Sequence, residues 1–347
     1  MITVLTGGTG GAKFVDGLRQ TVPQDELTII VNTGDDLRWW GLYVSPDVDS
    51  ITYVLAGKLS QERGWGFAGD TFFCLKTMAQ MGEPNWFRVG DRDLALHIFR
   101  SRLLAEGRTL SEATTEIAAR LGIKSRILPM SNSRIETRIL TPAGELSFEE
   151  YFVRRRYRDP VESVRFAGAS ESEPALGVLE AIRSAEFVVL APSNPVTSIG
   201  PILAVPGIRQ ALRETHARIA AISPIVGRAA VTGPAGVLLA SQGFAVSIAG
   251  VADFYRDFLD LLVVDSQDAP AAGDLLKKDL LKNDFRKNAL RKDELRHNRA
   301  LGKTGLQICC APTIMRKNNN GDRVALAKSV IAACQQLPET QSVAERA

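Results

Sequence analysis

Short, unbroken apolar runs recur along this chain, at Ile2–Leu5, Leu27–Val31, Phe187–Leu190, Ile219–Ile222, Ala245–Ile248, Leu261–Val264 and Leu306–Cys310. Runs that do not alternate with polar residues fit strands covered on both faces, as in a parallel sheet. Segments of helical periodicity, such as Ile208–Thr215 and Ala325–Cys334, separate them. The predicted fold is therefore doubly wound α/β, with a mainly parallel sheet. Such sheets bind ligands beyond the carboxyl ends of their strands, so the residues after each run are the candidate functional positions.

Between about residues 50 and 125 the pattern changes. Ser50–Leu59, Thr71–Met81, Asp91–Glu106 and Thr109–Leu121 read as packed helices, with Thr109 and Glu112 as a capping box and Asp91 as the cap of the helix starting near Arg92. In TRILTPAGELSFEEYFV, Pro142-Ala143-Gly144 predicts a hairpin turn. The expected organisation is a single α/β domain over 1–347, with 50–165 a helical and hairpin cap inserted after the second strand. A further charged helical segment is expected at 273–303. From Lys277 to Arg299 it carries nine Lys/Arg against four Asp/Glu, with leucines and Phe285 at three- to five-residue intervals. Interrupted charge without an aromatic platform fits a solvated amphipathic helix better than a nucleic-acid surface.

Composition adds little but excludes some classes. Hydrophobic residues make up 45% and charged residues 23%, ordinary for a globular protein, and a formal charge of +3 marks no polyanion partner. The four cysteines form no CxxC pair and no zinc-type spacing, so they read as reduced thiols. No apolar run approaches the roughly 18 residues of a membrane span. A cytoplasmic protein, without a nucleic-acid or membrane partner, is expected.

Candidate chemistry begins at MITVLTGGTGGAKF. A strand, then Gly7, Gly8, Thr9, Gly10 and Gly11, then a helix containing Lys13 makes a βα unit that offers backbone N–H groups to an anion. Neither GxGxxG nor GxxxxGK[ST] is matched, so a phosphate is expected without its owner being defined. The second strand ends in VNTGDD, which puts Asn32, Asp35 and Asp36 beside the glycine turn if sequential strands are neighbours. These aspartates read either as an Asx-turn with helix capping or as holders of a Mg2+ ion bridging to phosphate. Trp39, Trp40 and Tyr43 follow, then Asp47 and Asp49. The rings suit either packing or a flat conjugated ligand, and a carboxylate on an apolar wall suits proton abstraction. In WFRVGDRDLALH, Arg88 can clamp a phosphate or pair with an aspartate, and His97 reads as structural. RRRYR at Arg154–Arg158 reads either as phosphate-facing or as plain surface. Downstream, Ser193, Asn194 and Ser198 after FVVL, and Gly227, Gly233 and Pro234 in the next loops, suit the base and ribose of a nucleotide.

Taken together, GGTGGAK, NTGDD, WGLYVSPDVDS, GWGFAGDTF, WFRVGDRDLA, EYFVRRR, LAPSNPVTSIGPIL, SPIVG, GPAG and TIMR closely resemble the 2-phospho-L-lactate transferases of coenzyme F-420 biosynthesis. The match runs from Met1 to about Asp265 and resumes at APTIMR. The resemblance implies a Rossmann-like core with a smaller cap, a homodimer, and a Mg2+-dependent transfer. In it, the terminal ribityl hydroxyl of the deazaflavin Fo attacks the distal phosphorus of a guanosine-diphospho-linked three-carbon acid, and GMP departs. The acid is phospholactate, phosphoenolpyruvate or phosphoglycerate. The family's deazaflavin-binding aspartate and basic residue fall on Asp49 and Arg88. The glycine turn with Lys13, Asn32, Ser193 and Asn194 would hold the nucleotide, and Trp40 would flank the ring. Asp35, Asp36 or Asp49 would hold the metal, and Asp49 or Asp36 would act on the hydroxyl. Departures are Arg228, where members commonly have a second glycine after SPIVG, and the long basic segment before TIMR.

Two other readings compete. A related family of gluconeogenesis and cell-shape regulators shares the core and binds a sugar nucleotide, but should lack WGLYVSP and EYFVRRR. A nicotinamide-dependent oxidoreductase fits the βα unit but not the GxGxxG spelling.

Overall fold

A computed structural model describes residues 1–276 and 305–337 of the chain. In chain order its strands are β1 (Ile2–Thr6), β2 (Leu27–Val31), β3 (Leu37–Trp39), β4 (Leu42–Val44), β5 (Arg126–Pro129), β6 (Glu136–Thr141), β7 (Gly144–Ser147), β8 (Ser163–Ala167), β9 (Phe187–Leu190), β10 (Arg218–Ile222), β11 (Ile225–Val226), β12 (Ala229–Ala230), β13 (Leu261–Asp265) and β14 (Gln307–Ala311). The helices are α1 (Gly8–Leu18), α2 (Pro46–Leu55), α3 (Phe73–Gln80), α4 (Asp91–Ala105), α5 (Leu110–Arg120), α6 (Val178–Arg183), α7 (Gly200–Ala204), α8 (Ile208–Glu214), α9 (Ala235–Ser241), α10 (Ile248–Phe254) and α11 (Asn320–Gln336).

The central sheet is parallel and runs β14-β13-β10-β9-β1-β2-β5. Alternate residues of each strand feed opposite cores. Leu5, Ile30, Leu190 and Leu262 join the layer of α6, α8 and α9, whereas Val4, Ile29, Val189 and Val263 pack against α1, α2 and α11. Burial on both faces explains why the strands read as continuous apolar runs. Ile2 pairs with Leu27 on one side and Phe187 on the other, so the strand order reverses at β1. The loops after β1 and β9 part there, at the place where open α/β sheets bind ligands.

Two sequence expectations are corrected. Ala245–Ile248 is no strand: Ser247 caps α10 there, its Oγ accepting the Gly250 N–H. The 50–165 stretch is no separate insertion throughout, because its Arg126–Pro129 is the edge strand β5 of the central sheet. A polar first residue and a terminal proline hide that strand from a search for apolar runs. The rest of the stretch does carry α3, α4, α5 and a three-stranded antiparallel sheet β7-β6-β8, whose hairpin turns at Pro142-Ala143. The charged segment read from Lys277 to Arg299 lies outside the described residues.

Candidate active site

At the switch point the glycine turn meets the loop after β9. Gly8 has φ +67°, a conformation L side chains rarely adopt, and a Cβ on Gly10 would lie 2.4 Å from the Pro192 carbonyl oxygen. Ser193 clamps the turn, its hydroxyl donating to Gly7 O at 2.7 Å and accepting from Gly7 N at 3.3 Å. Asn194 caps the π-helical turn Pro195–Ile199, accepting from Val196 N at 3.0 Å. The first-turn N–H groups of a helix lack intrahelical partners. The one on Gly8 donates to Asp47 Oδ1 at 2.6 Å, and Thr9 and Gly10 border an open cavity. Lys13 also borders it and donates to Met315 O at 3.3 Å. Burial lowers the Lys13 pKa, helped by the charges of Arg323 and Lys317.

Across the turn stands a cluster of buried carboxylates. Asn32 Nδ2 donates to Asp35 Oδ2 and Asp47 Oδ2, both at 2.9 Å, and so ties the end of β2 to the first turn of α2. Burial pushes Asp35 well above the usual carboxylate range, and Asp47 and Glu149 push it further. Asp47 is raised to about 6 by burial, against hydrogen bonds from Gly8 and Asn32, and Glu149 to about 8 by burial and by Asp47 and Asp36. Asp36 faces the other way. Its carboxylate accepts from Tyr43 OH at 2.7 Å and Ser45 Oγ at 2.6 Å, and burial raises it to about 8 despite both bonds.

Asp49, two residues beyond Asp47 in the first turn of α2, is spent on the cap. Arg100 of α4 grips both of its oxygens, and His97 Nε2 lies 3.1 Å from Oδ2. Burial alone would raise Asp49, but Arg100 and His97 outweigh it and hold the carboxyl at about 2.

A cavity of about 530 Å³ joins these parts. Its walls bring together the glycine turn, Asp35, Asp47, Asp49, Arg88 and Asn194. Arg88 is exposed at the rim with its guanidinium 4.9 Å above the Phe72 ring. Several expected residues are not lining residues. Asp36 and Asn32 stand behind the wall, and Gly11 packs against Thr6 and Ser193. Trp40 occupies the two-residue turn between β3 and β4 at φ 49°, donates to Pro84 O at 3.1 Å, and leans on Trp39 with ring centroids 5.5 Å apart. The aromatic lining comes instead from Tyr53, Trp65, Trp86, Phe87, Phe148 and Phe152. Phe148, just before the π-helical turn Glu150–Arg154, stacks at 5.5 Å on Phe152 within it, and Glu149 and Arg156, which flank the turn, also line the wall. His97, read as structural, is a lining residue. The local sequence EEYFVRR does hold the signal for Glu149 and Phe152, as a carboxylate and a ring on one helical face. Nothing local relates it to the glycine turn.

These features define a Rossmann-like α/β protein, with a glycine-rich turn and an acidic cluster facing an aromatic cap. The chain belongs to the family described as 2-phospho-L-lactate transferase CofD, whose model matches residues 2–312. It is 40% identical over 265 residues to the 2-phospho-L-lactate transferase of Methanosarcina mazei, covering 76% of this chain and 87% of that one. It is 44% identical over 277 residues to the enzyme of that name from Methanothermobacter thermautotrophicus (80% and 89% covered), and 45% identical over 276 residues to a phosphoenolpyruvate transferase of Streptomyces coelicolor (78% and 86% covered). The fold is shared with a Bacillus halodurans member of the UPF0052 family, at a TM-score of 0.58 and 19% identity over 95% of this chain and 98% of that one. Among the described residues no helix is long and apolar enough to cross a membrane.

Proposed function

We propose that this transferase moves a phosphorylated three-carbon acid from its guanosine diphospho derivative to the terminal hydroxyl of the deazaflavin Fo, releasing GMP, in coenzyme F-420 biosynthesis. One observation carries the reading. A single cavity, within the roughly 300–1,000 Å³ usual for ligand pockets, borders the glycine turn, the acidic cluster and the aromatic wall beside Arg88. The donor diphosphate lies on the first turn of α1, with Lys13 beside it. The deazaflavin ring lies against Trp65, Trp86 and Arg88, with Asp49 fixed as a permanent carboxylate toward it.

Phosphoryl-type transfer depends mostly on alignment and charge neutralisation. Asp35 and Asp47 are the residues suited to a Mg2+ ion. Asn32 holds their carboxylates as a pair, and Asp35 Oδ1 is buried with no hydrogen bond, Thr137 lying near enough only to temper its charge. Among the described residues no three Asp, Glu, His or Cys side chains form a ready metal cage, which fits an ion held by one or two carboxylates plus phosphate oxygens. Bound there, the ion would neutralise phosphate charge. Asp49 leaves the expected metal set because Arg100 and His97 already occupy it, and Asp36 because Tyr43 and Ser45 do.

The test is to incubate the protein with Mg2+, Fo and guanosine diphospho derivatives of phospholactate, phosphoenolpyruvate and phosphoglycerate. GMP release with one of them is the expected result and identifies the acid. No GMP with any donor, together with tight binding of a sugar nucleotide, would support a regulatory protein instead.

A further inference from the structure

Just past the π-helical turn Glu150–Arg154 the backbone takes a conformation that needs a reason. Arg156 and Tyr157 follow one another at φ 55° and 45°, in the left-handed region that residues other than glycine rarely enter. Such residues persist only where their surroundings over-determine them, and they cluster at ligand sites. Here the hold is visible. Tyr157 N donates to Tyr151 O at 2.8 Å, and the Tyr157 ring stacks on Phe152 with centroids 5.7 Å apart. Glycine would take both conformations without steric cost, so what the strain secures is the placing of two side chains.

Tyr157 completes the aromatic stack, whereas Arg156 borders the cavity, the one residue of Arg154–Arg158 that does. Its neighbours are paired, Arg154 with Glu150 at 3.7 Å and Arg155 with Asp159 at 3.5 Å. Among the described residues no carboxylate pairs with Arg156, which is exposed at the cavity rim. Besides His97, the basic side chains on the lining are Lys13, Arg88 and Arg156. Lys13 stands at the glycine turn and Arg88 beside the aromatic wall, which leaves Arg156 without an assigned ligand. The turn before it starts at Glu149, whose charge acts on Asp35 and is acted on by Asp47. Arg156 therefore stands on the element that faces the Asp35–Asp47 pair.

We infer that Arg156 reads the carboxylate of the three-carbon acid on the donor. The inference rests on the reading above, that the donor is a guanosine diphospho derivative of such an acid. Each of the three candidate acids keeps a carboxylate that takes no part in the transfer. Beside Asp35, Asp47 and Glu149 that group is repelled unless a cation meets it. A guanidinium is always charged, and its parallel N–H groups match the two oxygens of a carboxylate. Arg156 thus sets the orientation of the acid and leaves the diphosphate to the glycine turn.

The experiment measures binding by calorimetry, with Mg2+ and without Fo, so that nothing turns over. The probes are GDP, the ethyl ester of its terminal phosphate, and the guanosine diphospho derivatives of phospholactate, phosphoenolpyruvate and phosphoglycerate. The ethyl ester is the phospholactate derivative with hydrogen in place of the carboxylate. Wild type should bind at least one acid derivative about tenfold more tightly than the ethyl ester, as a charge-assisted pair implies. In Arg156→Gln that preference should shrink to about twofold or less, with GDP and ethyl ester bound as before. Arg156→Lys, a point charge without the fork, should keep part of it. If wild type shows no preference, or Arg156→Gln keeps it whole, while wild type still releases GMP when Fo is added, the assignment falls and the transferase reading stands. Equal losses for GDP and the acid derivatives would also overturn it, by putting Arg156 on the diphosphate. Wild type that binds no acid derivative and releases no GMP with Fo would bring down the transferase reading and the assignment together. Should Arg156→Gln lose GDP and Fo binding alike, Arg156→Met, which keeps the aliphatic stem, takes its place in the same comparison.

Discussion

Asp49 is the residue whose surroundings change its meaning most. On a bare sequence it is a carboxylate near an apolar wall, suited to taking a proton. In the fold it is half of a buried ion pair with Arg100, supported by His97, and so it orients rather than titrates. Removing one partner of a buried pair strands the other. Asp49→Asn should therefore lower stability by about 3–5 kcal/mol in urea denaturation as well as slowing transfer. Unchanged stability would mean that Arg100 finds another partner. At the glycine turn a single methyl group is decisive. Gly10→Ala places a carbon against the Pro192 carbonyl, which is backbone and cannot rotate away. Overpacking of this kind costs about 1–3 kcal/mol. The turn must also shift, so GDP affinity measured by calorimetry should fall tenfold or more, with no comparable loss in Fo affinity.

Among the elements, α3 and α4 cap each other. Asp70, just before α3, accepts from Arg92 N at 2.8 Å and Asp93 N at 3.2 Å at the start of α4. Asp91, in the first turn of α4, accepts from Cys74 N at 2.9 Å and Phe73 N at 3.0 Å at the start of α3. The sequence placed Asp91 correctly at a helix start but on the wrong helix, because a cap that reaches across 17 residues has no local signature. By contrast Thr109 and Glu112, three residues apart, form the capping box that their spacing predicted. Asp70→Ala and Asp91→Ala should each cost about 1 kcal/mol in thermal unfolding. The reciprocal caps hold the loop carrying Trp86 and Arg88, so both variants should raise KM for Fo with kcat nearly unchanged. The strands show the same rule of legibility. Sheet strands buried on both faces were readable as apolar runs, whereas β5 was not, and small residues before α10 imitated a strand. In the site, the glycine turn and the aspartates of NTGDD and PDVDS were visible because they sit next to strand ends or helix starts. Tyr53, Trp65 and Trp86 were not, and Glu149 showed only as one face of a local turn, since only the folded cap brings them to the cavity.

For the molecule as a whole, one side of the cavity gathers buried carboxylates. Asp35, Asp36, Asp47 and Glu149 all have pKa values raised by burial, the last three to about 8, 6 and 8. The folded state therefore binds more protons than the unfolded chain between about pH 4 and 8. Stability from these groups is present below the ordinary carboxylate range and is lost as pH rises through 6 to 8. The melting temperature of the ligand-free protein should fall across that window. Glu149→Gln should flatten the fall and stabilise the protein at pH 8, on the order of 1–2 kcal/mol. Mg2+ with GDP should restore what the high pH removes, since a cation supplies the missing positive charge. A flat melting profile from pH 5 to 8.5 would mean that the carboxylates are not held apart from water as this structure holds them.

The proposed transfer requires two ligands to meet in one cavity. A crystal structure with GDP, Mg2+ and Fo bound together tests that meeting directly. The account predicts the diphosphate on the N–H groups of Thr9 and Gly10, the ring between Trp86 and Arg88, and the terminal hydroxyl roughly 3–3.5 Å from the reacting phosphate. Fo bound outside the cavity, or a diphosphate seated away from the glycine turn, would contradict it.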